Sequence, residues 1–179
     1  MASAFDLDRF IAKCCAARDA DPSHRLVREV VARSVSDPAA VLTGLGEPKR
    51  SEVQRLYHSE NLTILKVIWA PGMTVTPHDH RMWAVIGLVE GQEANEFFRR
   101  SGATLEGSGG RVVETGEVLA LGSETIHRIQ NPQTHGSTRA LHVYGGDLLT
   151  AVRSMWTKPG WTEEPYDEAR VTGATFIRE

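Results

Sequence analysis

The chain has 179 residues, a hydrophobic fraction of 41% and a formal net charge of -3, which is typical of one soluble globular domain with a substantial core. Charges of both signs are interspersed, so neither nucleic acid nor an anionic membrane is expected as a partner. The only cysteines are Cys14 and Cys15. Adjacent cysteines rarely bridge each other, so they exclude a disulfide framework and indicate a reducing, cytoplasmic location.

Residues 1–46 are predicted to form an N-terminal helical segment. Asp6 is a candidate N-cap because apolar residues recur at helical spacing after it, at Leu7, Phe10, Ile11 and Cys14. Asp21–Pro22 and Asp37–Pro38 predict two further helix starts, since proline is well tolerated in a first helical turn. The segment is predicted to end at its glycines, Gly44 and Gly46.

Residues 53–153 change to short apolar or alternating runs separated by turn-forming residues, which favours an antiparallel sandwich or barrel over βαβ units. The predicted strands are Leu62–Trp69, Trp83–Val89, Gly116–Leu121, Ile126–Ile129 and Ala140–Tyr144. Ser101–Gly110 is predicted to be a flexible loop, because it lacks the Lys-Ser/Thr pair of a phosphate-binding loop. Residues 154–179 are predicted to wrap the barrel as a loop-like tail, giving a single domain over residues 1–179.

Two histidines, His78 and His80, lie two residues apart in a strand context. Successive side chains of a strand point to opposite faces, so both imidazoles are expected on one face and Asp79 on the other. Such a pair alone is compatible with a polar strand face as well as with half of a metal site. A third histidine, His127, follows glycines that allow a turn to aim its strand inward. Three neutral imidazoles on one face would leave coordination positions open for substrate.

These residues resemble the two conserved motifs of the cupin superfamily. Gly72, His78, His80 and Gly91 match the first motif, and Gly116, His127 and Asn131 match the second. The resemblance covers residues 62–144. It implies an all-β cupin fold, the double-stranded β-helix or jelly-roll barrel, here preceded by N-terminal α-helices.

One departure from the usual cupin motif narrows the resemblance. A typical cupin has a glutamate ligand four or five residues after its second histidine, where this chain has Ala84 and Val85. A three-histidine site without the carboxylate resembles the thiol dioxygenases, the cysteine dioxygenase group. That resemblance implies Fe(II) held by His78, His80 and His127.

The strand around His142 extends the resemblance. Alternation places the side chains of His142 and Tyr144 on one face. In the thiol dioxygenases a Ser-x-His-x-Tyr string forms a hydrogen-bond relay that ends with the tyrosine hydroxyl near bound oxygen. His142 and Tyr144 match this string, whereas Ala140 lacks the serine hydroxyl.

Arg153 follows Tyr144 by nine residues, as in the bacterial 3-mercaptopropionate dioxygenase branch, where the resemblance implies that this arginine faces the substrate carboxylate. A planar guanidinium can hold a carboxylate through two hydrogen bonds. The alternative is an ion pair with Asp147 or Glu163. Trp83 is expected either to wall the substrate pocket or to pack the barrel.

The sequence therefore predicts an iron(II)-dependent thiol dioxygenase whose small-molecule partners are O₂ and a thiol carboxylic acid, 3-mercaptopropionate- or cysteine-like, oxidised to its sulfinate. Two alternatives remain open at this point. One is a cupin oxygenase or hydrolase that acts on a diketone or another carbon acid, which the missing hydroxyl at Ala140 allows. The other is a metal-binding cupin without catalytic activity.

Overall fold

The computed structural model describes residues 5–46, 51–172 and 175–177. Within them the chain forms four helices and twelve strands. The helices are α1 (Leu7–Ala20), α2 (Arg25–Val35), α3 (Pro38–Leu45) and α4 (Glu168–Thr172). The strands are β1 (Glu52–His58), β2 (Thr63–Trp69), β3 (Thr74–His78), β4 (Ala84–Glu90), β5 (Gln92–Ser101), β6 (Thr104–Glu114), β7 (Val118–Leu121), β8 (Ile126–Gln130), β9 (Thr138–Tyr144), β10 (Ser154–Thr157), β11 (Thr162–Pro165) and β12 (Thr175–Ile177).

The strands form two six-stranded sheets, ordered β12-β1-β2-β9-β4-β7 and β11-β10-β3-β8-β5-β6. The eight central strands, β2 to β9, alternate between the sheets except at the β5–β6 hairpin, and neighbours within β2-β9-β4-β7 and β3-β8-β5-β6 run antiparallel. This connectivity is the double-stranded β-helix, the jelly roll of cupins. The predicted fold class, including its N-terminal helices, is confirmed.

Two of the three predicted helix starts are confirmed. The side chains of Asp6 and Asp37 accept hydrogen bonds from backbone N–H groups at the starts of α1 and α3. The start predicted at Asp21–Pro22 is wrong, because α2 begins at Arg25. Asp21 instead ends α1, and its carboxylate accepts hydrogen bonds from Ser23, which closes a local turn. Within the described ranges no helix is both long and apolar enough to cross a bilayer.

Helices α1 to α3 cover the outer face of the sheet that contains β4. An apolar cluster, here called the helix-side cluster, joins buried valines of α2 to side chains of β4 and β9. Gly87 of β4 makes this approach possible, because a Cβ there would lie 2.4 Å from a methyl group of Val31 and 2.9 Å from one of Val35. A separate apolar cluster fills the barrel interior between the two sheets.

The prediction of a flexible loop at Ser101–Gly110 is wrong. Ser101 ends β5, residues 102–103 form a turn, and residues 104–110 begin β6, which pairs antiparallel with β5 from Gln92 to Ser101. The glycines do not prevent pairing because β6 lies at the edge of its sheet, and a bulge in the register falls beside Gly109.

The C-terminal residues contribute strands to both sheets rather than a loop-like tail. In β10, Met155 is the register partner of His78 on β3. Strand β11 extends this sheet as its edge, while β12 pairs in parallel with β1 of the opposite sheet. The tail therefore closes over the end of the barrel where His78 lies.

Candidate metal centre

The three predicted ligands converge inside the barrel. His78 ends β3, and its register partner on β8 is His127. His80 follows in the connection to β4. The imidazole centroids are separated by 4.9 Å for His78 and His80, 4.8 Å for His78 and His127, and 5.0 Å for His80 and His127. One potential ligand atom from each ring lies within 4.8 Å of the other two.

Hydrogen bonds orient two of the rings. His78 Nδ1 lies 2.9 Å from the Thr76 carbonyl oxygen, which can only accept, so Nδ1 carries the proton. His127 Nδ1 lies 2.8 Å from Oδ1 of Asn95 and donates to it. In both rings the Nε2 lone pair is left for a metal, which is the usual arrangement of histidine ligands.

The donor set fits a metal ion. All three rings are buried, and burial lowers the pKa of His78 to about 4 and the pKa values of His80 and His127 well below their usual value, so the rings are neutral. Among the described residues, no side chain or backbone group hydrogen-bonds the buried Nε2 of His127. A buried, unpartnered lone pair is costly unless a ligand satisfies it.

Asp79 points off the metal face, as expected from strand alternation. Its carboxylate accepts a 2.8 Å hydrogen bond from the backbone N–H of Ser154 and forms a 2.9 Å ion pair with Nε of Arg81. Arg81 adopts a left-handed backbone conformation, with φ of 58°. The buried Asp79 carboxylate thus links the segment that contains His78 and His80 to the first residue of β10.

His142 and Tyr144 lie together on the inner face of β9, as predicted. Nδ1 of His142 is 3.0 Å from the Tyr144 hydroxyl oxygen. The phenol ring contacts His80, with ring centroids 5.0 Å apart. Burial raises the pKa of Tyr144, so its hydroxyl is protonated at neutral pH and available as a donor.

A small cavity opens beside the histidines. The space open to the centre of a water-sized molecule is about 40 Å³, so only a small ligand fits without rearrangement. Its polar lining residues are His78, His80, His142, Tyr144, Arg153, Tyr166 and Glu168, and much of the remaining wall is apolar. The Arg153 guanidinium carbon lies 3.4 Å from the centroid of the Tyr166 ring, a cation–π contact that holds the side chain at the cavity.

The two carboxylates considered as alternative partners of Arg153 have other partners. Glu163 forms an ion pair with Arg100 and accepts a hydrogen bond from Ser154. Asp147 lies 2.7 Å from Nε2 of His58. Arg153 therefore reaches the cavity rather than either predicted ion pair.

Trp83 lies outside this cavity, which corrects the expectation that it walls the pocket. Its indole N–H donates a 2.8 Å hydrogen bond to the Pro22 carbonyl, and the ring packs with the helix-side cluster. A Cβ on Gly145 would lie 2.0 Å from the indole, so the glycine leaves room for the ring. Trp83 therefore has the packing role that was the alternative to lining the pocket.

Two buried residues near the site were missed from the sequence, Glu93 and Asn95. They are consecutive inward-facing positions of β5, and both are almost fully buried. Asn95 bridges Glu93 and His127, with hydrogen bonds of 3.1 Å and 2.8 Å. The available signal was two polar residues at strand spacing shortly after Gly91, but β5 itself was not predicted.

The fold and these side chains define a cupin-fold barrel with a three-histidine group that could hold a metal ion. No family model matches the chain. Its structure resembles an RmlC-like cupin from Methanocaldococcus jannaschii, with 16% identity over 57% of this chain and 85% of that chain and a TM-score of 0.47.

Two further solved structures illustrate the range of proteins with similar barrels. A cupin superfamily protein from Desulfitobacterium hafniense is 14% identical over 63% of this chain and 89% of its own, with a TM-score of 0.46. The DMSP lyase DddQ of Ruegeria pomeroyi is 22% identical over 52% of this chain and 42% of its own, with a TM-score of 0.42. At these identities the similarity concerns the fold alone.

Proposed function

We propose that this protein is a mononuclear non-haem iron(II) thiol dioxygenase that converts a small thiol carboxylic acid, 3-mercaptopropionate- or cysteine-like, to its sulfinate. The observation that supports this most is the lining of one small cavity: two of the three histidines, the His142–Tyr144 pair and Arg153 all face it. Together they supply a place for a metal, a hydroxyl group and a cation for a carboxylate.

The three neutral imidazoles of His78, His80 and His127 would hold Fe(II). When bound, this ion lowers the pKa of a substrate thiol and supplies the redox chemistry by which both atoms of O₂ are added to sulfur. The overall reaction is balanced, because RSH and O₂ give RSO₂H without another reductant. The ligands carry no charge, so an anionic substrate is favoured beside a divalent cation.

Arg153 would bind the substrate carboxylate. Its guanidinium carbon lies over the Tyr166 ring and the side chain lines the cavity, so its N–H donors can face a ligand there. Those donors match the two oxygens of a carboxylate. The distance between the carboxylate and the thiol would then limit which substrates place sulfur beside the histidines.

Tyr144 would contact oxygen as it reacts, since its hydroxyl faces the cavity beside His80. His142 holds that hydroxyl in place through Nδ1. The apolar part of the wall excludes bulk water and strengthens these interactions. The free thiols of Cys14 and Cys15 support a reducing, cytoplasmic location as part of the proposal.

The proposal is tested by anaerobic reconstitution with iron(II), followed by measurement of O₂ consumption with a panel of small thiols and carbon acids. We expect uptake that requires a thiol acid and yields its sulfinate. The same panel with the thiol replaced by an alcohol of equal length controls for carbon oxidation.

Other outcomes would reject the proposal in distinct ways. Uptake with diketones or carbon acids alone would identify a different cupin oxygenase. Stoichiometric iron without O₂ uptake for any compound would indicate a binding protein.

A further inference from the structure

The carboxylate of Glu93 lies in the centre of the barrel with no exposed surface. It faces three polar side chains: Nδ2 of Asn95 at 3.1 Å from Oε1, the indole N–H nitrogen of Trp69 at 3.2 Å from Oε2, and Nε2 of His142 at 3.6 Å from Oε2. Burial raises the pKa of Glu93, but the combined effect of His142, Asn95 and Trp69 outweighs it and lowers the pKa below its usual value. The group is therefore an ionised carboxylate.

An ionised carboxylate only accepts hydrogen bonds, so its neighbours must present protons to it. Asn95 must turn its NH₂ group toward Glu93, which leaves its carbonyl oxygen toward Nδ1 of His127. That oxygen also only accepts, so the His127 proton lies on Nδ1. The Nε2 lone pair of His127 is then available to a metal ion.

The same reasoning applies on the other side of the carboxylate. A proton on Nε2 of His142 is favoured because this atom faces Glu93, and an approach of about 0.6 Å would give a normal hydrogen bond. Nδ1 of His142 then carries a lone pair and accepts from the Tyr144 hydroxyl. Ala140, two residues earlier on β9, has no hydroxyl that could orient His142.

We propose that Glu93 is a positioning residue that fixes the proton positions of both His127 and His142, so that one buried carboxylate prepares a metal ligand and sets the direction of the Tyr144 O–H bond. This inference deepens the proposed function and rests on its metal centre, but not on the identity of the substrate. Glu93 acts through Asn95 and His142 and does not itself touch the substrate.

The test compares Glu93→Gln with Glu96→Gln in the full chain, using Zn²⁺ as a redox-inert probe. Glu96 lies on the same strand but forms an ion pair with Arg128, so its variant controls for a charge change in β5. A glutamine side chain both donates and accepts, and it no longer requires one orientation of Asn95. We expect Glu93→Gln to weaken Zn²⁺ binding about 10- to 100-fold, as for other residues that orient metal ligands.

Two measurements separate positioning from general loss of structure. Zn²⁺ affinity comes from competition with a chelator, and ¹⁵N NMR of the imidazoles reports which ring nitrogen carries the proton. Glu93→Gln should change the ring ¹⁵N pattern of His142 and of His127, while Glu96→Gln leaves both as in the wild type. Equal Zn²⁺ affinities and unchanged ring patterns in the two glutamine variants would overturn the proposal.

Asn95→Ala provides a second variant if Glu93→Gln does not fold. It removes the connection to His127 and leaves the Glu93–His142 contact, so Zn²⁺ affinity should fall while the His142 pattern is retained. Full Zn²⁺ affinity in Asn95→Ala would overturn the inference. Because Zn²⁺ supports no O₂ chemistry, these results do not depend on whether the wild type forms sulfinate. If the Zn²⁺ affinities and imidazole ¹⁵N patterns are as expected but the iron-loaded wild type forms no sulfinate, only the proposed reaction is rejected.

Discussion

The two faces of strand β9 differ sharply in chemistry. Leu141 and Val143 pack with the helix-side cluster, whereas His142 and Tyr144 point into the barrel and the cavity. Leu141 and Val143 are apolar and need only close packing, which is non-directional. Each inward polar group needs a specific partner, because a buried polar atom without one is costly. Alternation along one strand thus separates the residues that stabilise the fold from those that form the site.

Changes on the inner face should therefore affect metal binding first. His127→Ala removes a ligand and is expected to abolish metal retention, because two imidazoles remain to hold the ion. Metal content after reconstitution and gel filtration is the measurement. His135→Ala, at an exposed position, serves as the matched control. A His127→Ala protein that retains stoichiometric iron would show that the three-histidine centre is wrong.

Acid should destabilise the metal-free protein through the same inner face. Burial lowers the pKa of His78 to about 4, from 6.5, so between these values the unfolded chain binds more protons than the native one. The free energy of unfolding therefore falls as pH falls through this window, by about 3 kcal/mol from His78 alone. Urea denaturation at pH steps from 7 to 4 measures this.

The Asp147–His58 pair at the surface should respond to pH in a different window. Hydrogen bonds from Thr150 and His58 lower the pKa of Asp147 to about 2, so its contribution is present above the usual carboxyl pKa and is lost only as pH falls toward 2. Saturating Zn²⁺ should raise the free energy of unfolding at each pH between 6.5 and 4 but keep its pH dependence, because the metal holds the native rings unprotonated while the unfolded chain still binds protons. A metal-free protein equally stable at pH 7 and pH 4 would contradict the burial of neutral histidines.

Changes on the outer face should affect stability alone. Leu141→Ala removes a fully buried side chain and should lower the free energy of unfolding by about 2–5 kcal/mol, through lost burial and a residual cavity. Val112→Ala, at a half-exposed position of β6, should change it by less than about 0.5 kcal/mol. Metal content per folded molecule should be unchanged in both. Loss of metal from folded Leu141→Ala would remove the distinction between the faces.

Arg153→Ala should have the smallest effect of these changes, limited to the substrate. Loss of charged hydrogen bonds to a carboxylate should raise KM about 10- to 100-fold for a thiol acid. A thiol without a carboxylate should be oxidised equally by both proteins, which is the internal control. If kinetics with the thiol acid are unchanged, Arg153 has only a structural role beside Tyr166.

The parts of the fold that were predictable from sequence are those governed by local rules. Asp6 and Asp37 mark helix starts because capping depends on a few consecutive residues. The helix start predicted at Asp21 is wrong because an aspartate that closes a turn has the same local sequence signal as one that caps a helix. The glycine-rich start of β6 carries the local signal of a loop. Its strand conformation depends on pairing with β5, which the local sequence does not show.

The candidate site divides in a similar way. Strand spacing indicates His78 and His80, and a motif indicates His127. The strand spacing of Glu93 and Asn95, in contrast, does not distinguish a buried strand face from an exposed one. The burial of Glu93 depends on Asn95, Trp69 and His142, which come from three different strands. Trp83 directly precedes β4 and lies outside the cavity, and the sequence around an aromatic residue does not reveal which sheet face the helices cover.

The central claim concerns dioxygen chemistry at sulfur, and labelled oxygen tests it most directly. The iron-reconstituted protein is incubated with ¹⁸O₂ and 3-mercaptopropionate, and the product is analysed by mass spectrometry. The account predicts a sulfinate in which both oxygen atoms of the sulfur group carry the label. A disulfide, or a sulfinate labelled at one oxygen or neither, would contradict it.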